Sequence, residues 1–437
     1  MPKPLYQIYI NVYKVIKTDK KVKRSQRLYI IEAALEYLVS LLVAGSFLAT
    51  LTGQLGFSDG ATGILSQFIS LGYVFQLISI GFRPKKAKPT VLALSIANQL
   101  LFTLLYILPI SGNRGLFSKI LFVIVVLAAY LLYNIAHPKK INWFMSLVED
   151  KERGNFTANK EIISLISGMI FSFAMGACVD CFKAQNNIKA ALIICAATLF
   201  VLTVLHTLTV IFTVEKESEK TPLENAKLSK RIVSLIKDKK IRQVSVLFII
   251  WNIANSITTP FTHTFMLNDL DISLTTITVI TAIGSLGRIA VSKFWGNYAD
   301  KNSFAKMDML CFGVAAMAFA FVVFATPANK YITMTGFHLL HAVSMGGISS
   351  SLINIIFDFV PFDKRADSLA ITQVLGGLSG FATTMCVSPF VNFIQNSGNQ
   401  ICGLTVYAQQ IIAVLSVFFA IAAMVYTKKS LVDATDN

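Results

Sequence analysis

What most constrains this chain is a succession of apolar runs, each about 20 residues long, the length an α-helix needs to cross a hydrocarbon core of roughly 30 Å. Such runs lie near 28–50, 61–82, 90–109, 117–136, 161–180 and 189–213, and again near 244–266, 272–294, 306–326, 331–358, 367–395 and 403–427. In hydrocarbon every backbone N–H and C=O must bond within the chain, so spanning segments of this length are helical. The sequence therefore predicts an all-α integral membrane protein with twelve transmembrane helices in two sets of six. Only 14% of the 437 residues are charged, against about a quarter in soluble proteins. A water-soluble enzyme is excluded.

Lys and Arg number 39 against 23 Asp and Glu, a net charge of +16. In a membrane protein this excess is first a topology signal, and no nucleic-acid partner is expected. With the N-terminus in the cytoplasm, all but six of the 39 fall on cytoplasmic segments; five lie on the opposite loops and Arg288 sits within a helix. The expectation is a multi-pass protein of the cell membrane, such as a bacterial inner (plasma) membrane, with both termini cytoplasmic.

Five segments follow: a basic interfacial segment over 1–27, a six-helix bundle over 28–213, a charged cytoplasmic linker over 214–243, a second bundle over 244–427 and a tail over 428–437. In the first, Leu5, Ile8, Tyr9, Val12, Tyr13 and Ile16 recur at helical spacing before a basic cluster, as in a helix lying on an anionic leaflet. No cleaved signal peptide is read there. The sequon Asn155-Phe156-Thr157 then faces the cytoplasm and carries no glycan. The six cysteines have no metal-type spacing.

The halves repeat each other. At one offset Leu55, Ser58, Ser70, Leu71, Gly72, Gly81 and Lys86 coincide with Leu270, Ser273, Ser285, Leu286, Gly287, Gly296 and Lys301. At a slightly smaller one Val148, Arg153, Ala158, Ser167 and Gly168 coincide with Val360, Arg365, Ala370, Ser379 and Gly380. Two six-helix bundles related by an axis along the membrane normal would produce this pattern.

Together with the loop Trp295 to Lys306, which reads WGNYADKNSFAK, these residues resemble the major facilitator superfamily over essentially the whole chain. Gly296, Asp300 and Lys301 match that family's glycine, aspartate and basic pattern, while Lys85 stands where the first half should carry the aspartate. The resemblance implies two pseudo-symmetric bundles, alternating access, and a central cavity lined by helices 1, 4, 7 and 10. It also implies that Asp300 caps the start of helix 5, near Asn159 and Glu161, as a carboxylate meeting free N–H groups at the positive end of a helix. Arg153 and Arg365 look like the remaining parts of that gate, and Arg288 is grouped with them. Anchoring of loops in the headgroup region is the simpler role for the two arginines. The glycine-rich, proline-centred antiporter signature is absent from helix 5.

Glu32 and Glu36 in helix 1 share one helix face. If the helix enters near Leu28, a rise of ~1.5 Å per residue puts Glu36 about 12 Å into the core. A carboxylate there is costly unless paired, hydrated or protonated, which is what a proton-coupling site requires. His338 and His341 on helix 10 descend to roughly 10 and 15 Å from the other face, so Glu36 and His341 are expected at similar height, as a relay or clamp. Glu32 has a structural alternative, snorkelling or pairing with Arg288, and His206 is expected to pack. With no third ligand beside the two histidines, no metal is expected, nor any cofactor.

On helix 7, Asn252, Asn255, Thr258, Thr259 and His263 surround Trp251, and on helix 4 Tyr130, Tyr133 and Asn134 offer an opposite wall. Amides, hydroxyls and an indole suit a polar organic solute, although Asn and Thr also bond helix to helix in bilayers. No GxxxxGK[ST] loop occurs, so ATP-driven pumping is not expected. The leading expectation is a monomeric secondary transporter of a small organic solute, driven by protons or another coupling cation through Glu36. Alternatives are an exporter of amphipathic compounds or drugs, an intramembrane enzyme acting on a lipid, which lacks a nucleophile–base cluster, and a receptor without flux.

Overall fold

The computed structural model describes residues 3–81, 87–112, 114–145, 147–148, 153–215, 237–359, 365–401 and 404–433. Its first half contains α1 (Lys3–Leu42), α2 (Gly45–Gln54), α3 (Asp59–Ser66), α4 (Phe68–Gly81), α5 (Ala87–Ile107), α6 (Leu116–Met145), α7 (Arg153–Ala184) and α8 (Ile188–Phe212). The second contains α9 (Lys239–Thr264), α10 (Leu274–Lys301), α11 (Phe304–Val323), α12 (Lys330–Phe359), α13 (Arg365–Asn396) and α14 (Ala408–Thr427). A two-residue antiparallel ribbon pairs Gln400–Ile401 with Leu404–Thr405 between α13 and α14. Among the described residues ten helices are long and apolar enough to cross a membrane, and α1 with α2, bent by 40°, makes an eleventh. The helices α3 and α4, separated by Gln67 alone, occupy the place of the expected second span.

Two elements differ from the sequence expectation. The basic segment is not a separate interfacial helix, because α1 runs unbroken from Lys3 through Leu42. Lys, Arg and Gln are good helix formers and no Gly or Pro interrupts residues 5–42, so nothing stops the helix at the membrane surface. The break comes instead inside the span. Gly45 takes φ +53, a left-handed conformation that glycine adopts without steric cost. The Tyr106 hydroxyl donates to the Leu42 carbonyl (2.5 Å), giving the frayed end of α1 a partner inside the bundle.

The repeated residues do equivalent work. Ser58 caps α3 through the Ala61 N–H, and Ser273 caps α10 through the Thr276 N–H, one orphan donor satisfied at each start. Gly72 abuts Asn134 of α6 where Gly287 abuts Leu339 of α12, and Gly168 abuts Tyr37 of α1 where Gly380 abuts Ser256 of α9. A side chain at any of the four would collide with its neighbour, so these glycines set helix spacing, the usual small-residue device of membrane bundles.

Each half has its own core, around Leu42, Leu51, Phe122 and Leu199 in the first and Leu247, Phe312, Phe319 and Ile355 in the second. The halves meet where α7 lies against α10, α3 and α4 against α13, and α2 and α3 against α9. The first half also fixes where its chain leaves it. The Val214 N–H donates to Ser25 of α1, the Trp143 indole of α6 donates to the Val214 carbonyl, and the Glu215 carboxylate accepts from the Ala87 and Lys88 N–H groups that open α5. The linker beyond, residues 216–236, lies outside the described residues, as do the side chains of the amphipathic stretch at the N-terminus.

Candidate functional site

The most unusual feature is a group of four ionisable side chains inside the first bundle. Glu32 and Glu36 project from one face of α1, Lys140 reaches them from α6 and His206 from α8. The Lys140 ammonium lies 3.0 Å from Glu32 Oε1 and also donates to Glu36, and His206 Nε2 lies 2.8 Å from the same Glu32 oxygen. Glu32 is 0% exposed and His206 1%, whereas the Glu36 side chain keeps 23% of its surface open. Glu32 Oε2 is buried without a hydrogen-bond partner among the described residues. Two carboxylates against one ammonium leave one negative charge, which a single additional proton neutralises. Charges this deep persist only when paired, since desolvation costs several kcal/mol per ion.

This arrangement revises three expectations. Glu32 pairs with Lys140 and His206, not with Arg288. His206 is an ion-pair member, not a packing residue. Glu36 takes Lys140 rather than His341. The apolar run of helix 4 ends near residue 136, which places Lys140 among the loop cations in the sequence reading. The structure carries α6 on to Met145. Tyr133, His137, Lys140 and Phe144 follow each other at steps of three and four, the helical signal that would have revealed the continuation.

The second half supplies a separate imidazole group. His341 Nε2 is 2.9 Å from Asn255 Oδ1, and its ring stacks on Phe337 at 5.4 Å. The Thr259 hydroxyl donates to the Asn255 carbonyl one turn away (2.7 Å). His338 Nε2 lies 3.4 Å from Met266 Sδ, and the His338 ring centre is 5.9 Å from that of His263.

Four other expected solute contacts are occupied by packing. Trp251 is buried in the second core, 5.2 Å from Phe312. Asn252 donates to the Phe248 carbonyl and sits against Gly376 of α13. Tyr130 is buried edge-on to Phe102, and Asn134, 1% exposed, donates to the Tyr130 carbonyl. Of the expected set, Asn255, Thr259 and His341 come together.

Polar contacts between the halves concentrate at the end of the bundle away from the chain termini. There Asp180, near the end of α7, accepts from the Leu274 N–H (3.2 Å), the Thr275 N–H (2.7 Å) and the Thr275 hydroxyl (2.6 Å), capping the first turn of α10 from the other half. Asp59 accepts from Asn268 and Gln395, both at 2.8 Å, and the Gly60 N–H donates to Asn392 Oδ1 (3.1 Å). Toward the termini, the one polar contact across the halves among the described residues joins Arg288 to Glu161 at 3.6 Å. Arg288 also donates to the Ser349 hydroxyl (3.0 Å). Gly296 and Lys301 are exposed. The side chains of Asp300, Arg153 and Arg365, and all of Lys86, lie outside the described residues.

The Major Facilitator Superfamily model matches residues 30–384. No curated protein matches the chain. Among solved structures, the nucleoside transporter NupG superposes with a TM-score of 0.67 at 13% identity, over 93% of this chain and 100% of that one. The POT family transporter PepTSo gives 0.69 at 10%, over 95% and 99%. A bacterial homolog of the human lysosomal transporter Spinster gives 0.67 at 12%, over 93% and 96%.

Proposed function

Since the chain belongs to the major facilitator superfamily and is a membrane transporter, we propose that it moves a small organic solute by alternating access and couples that movement to protons through Glu36. The observation that carries this reading is the buried set Glu32, Glu36, Lys140 and His206, in which one carboxylate is sealed and the other half-open.

The physical logic is a charge balance. Protonation of Glu36 removes one of the two carboxylates that hold Lys140, leaving Glu32 as its sole counter-ion and completing a neutral set with His206 uncharged. Deprotonation returns Lys140 to both acids. A bundle whose buried charge is neutralised by one proton crosses between open states at lower electrostatic cost than one carrying a net charge. Glu36, the more exposed of the pair, is the one a proton reaches. Asn255, Thr259 and His341 are the residues from which solute recognition starts.

Both termini lie in the cytoplasm, by the distribution of Lys and Arg, so the end closed by Asp180, Asp59 and Gln395 faces outward. At the inner end, the family resemblance assigns the counterpart cap on the start of α7 to Asp300.

The test is uptake into proteoliposomes after a pH jump, screened over sugars, nucleosides, amino acids and drugs, with Glu36→Gln alongside. The variant is expected to lose pH-driven accumulation while still equilibrating the solute. Accumulation that stays fully pH-dependent removes Glu36 from the coupling role.

A further inference from the structure

We propose that His263, Met266 and His338 form a binding site for a soft monovalent metal ion of the copper(I) type, at the contact between α9 and α12. In the sequence the histidines of helix 10 had no third ligand. The fold supplies one from another helix.

His263 and Met266 stand three residues apart where α9 ends and passes into the π-turn Phe265–Asp269, so they emerge on neighbouring parts of one face. His338 comes across from α12 and brings Nε2 to 3.4 Å from Met266 Sδ. With metal–nitrogen and metal–sulfur bonds of about 2.0 and 2.3 Å, that separation subtends roughly 105° at a shared ion, an angle suited to trigonal or tetrahedral ligation. The His263 ring centre is 5.9 Å from that of His338, close enough for a third bond after a small rotation.

The histidines are poorly satisfied as they stand. His263 Nδ1 is buried with no hydrogen-bond partner among the described residues. Among the described residues His338 has as hydrogen-bond partner the Met266 thioether, a weak acceptor. Gly45 of α2 packs directly against the His263 ring, where a side chain would crowd it. One ion would give both imidazoles a strong partner.

The ligand chemistry selects the ion. Two neutral imidazoles and a thioether contribute no charge, so a monovalent cation leaves the smallest net charge in a low-dielectric setting. Thioether sulfur favours copper(I) over the hard cations, which take oxygen ligands. Met266 is fully buried, while His263 and His338 are partly open, so an ion reaches the site past the imidazoles.

The full-length protein in detergent, with accessible thiols blocked by N-ethylmaleimide, is titrated with copper(I) supplied as its bicinchoninate complex, and X-ray absorption reads the bound ion. The expected result is one copper(I) per chain with mixed nitrogen and sulfur ligation. Met266→Leu, which keeps the side-chain volume, should weaken binding at least tenfold and remove the sulfur signal, and His263→Gln and His338→Gln should weaken it similarly. Unchanged binding in Met266→Leu, or no stoichiometric binding by the parent protein, overturns the proposal. Unfolding temperatures of the metal-free variants identify any loss that reflects folding, and binding to peptidodisc-reconstituted protein then decides for such a variant. Because binding is measured without a proton gradient, its failure and that of the Glu36 reading are distinct: one abolishes metal uptake by the static protein, the other leaves it intact.

Discussion

At the scale of single residues, the identity of Lys140 decides the character of the first bundle. Its ammonium stands between two carboxylates on one helix face, with His206 as the fourth member. Lys140→Met leaves the sealed Glu32 and the half-open Glu36 without their cation and should destabilise the protein by roughly 3–5 kcal/mol, read as a lowered unfolding temperature in detergent. Adding Glu32→Gln and Glu36→Gln to that variant should restore most of the loss, since it removes the unpaired charge along with its partner. The two acids were legible in the sequence because a four-residue spacing within an apolar run is a strong signal. Their partners were not, because Lys140 and His206 come from helices 104 and 174 residues further along the chain, and no local spacing encodes which faces of α1, α6 and α8 meet.

At the scale of elements, the break between α1 and α2 shows what periodicity alone misses. An apolar run over 28–50 reads as one helix, and only the positive φ of Gly45 and the Tyr106–Leu42 bond reveal the bend. Gly45→Ala forces an L-residue into a left-handed conformation at a cost of roughly 1–2 kcal/mol, and the added methyl presses on the His263 ring. The expected outcome is a lower unfolding temperature in detergent. Equal stability of the variant would mean that α2 can rotate without loss. Ser58 and Ser273, by contrast, are legible in the sequence as a repeated pair, and the structure gives both the role of a helix cap.

At the scale of the whole molecule, α7 and α10 run antiparallel across the two halves, and each carries an aspartate toward its C-terminal end: Asp180 on α7 and Asp300 on α10. Asp180 caps the start of α10. Removing the cap in Asp180→Ala should weaken the closed end away from the termini by about 0.5–2 kcal/mol, and with the orientation proposed above the balance should move toward an outward-open form. Asp300→Asn should move it the opposite way. Distances between spin labels at the two ends of the α7–α10 pair, measured by pulsed electron resonance, check both signs; a common sign would show that the two aspartates are not opposed. The anchoring of Val214 and Glu215 by α1, α5 and α6 has a consequence for how this polypeptide can be made. Since the first bundle grips its own exit strand, a nick anywhere downstream, within 216–236, should cost it nothing: two fragments produced from separate genes ought to find each other in the lipid and rebuild a working whole.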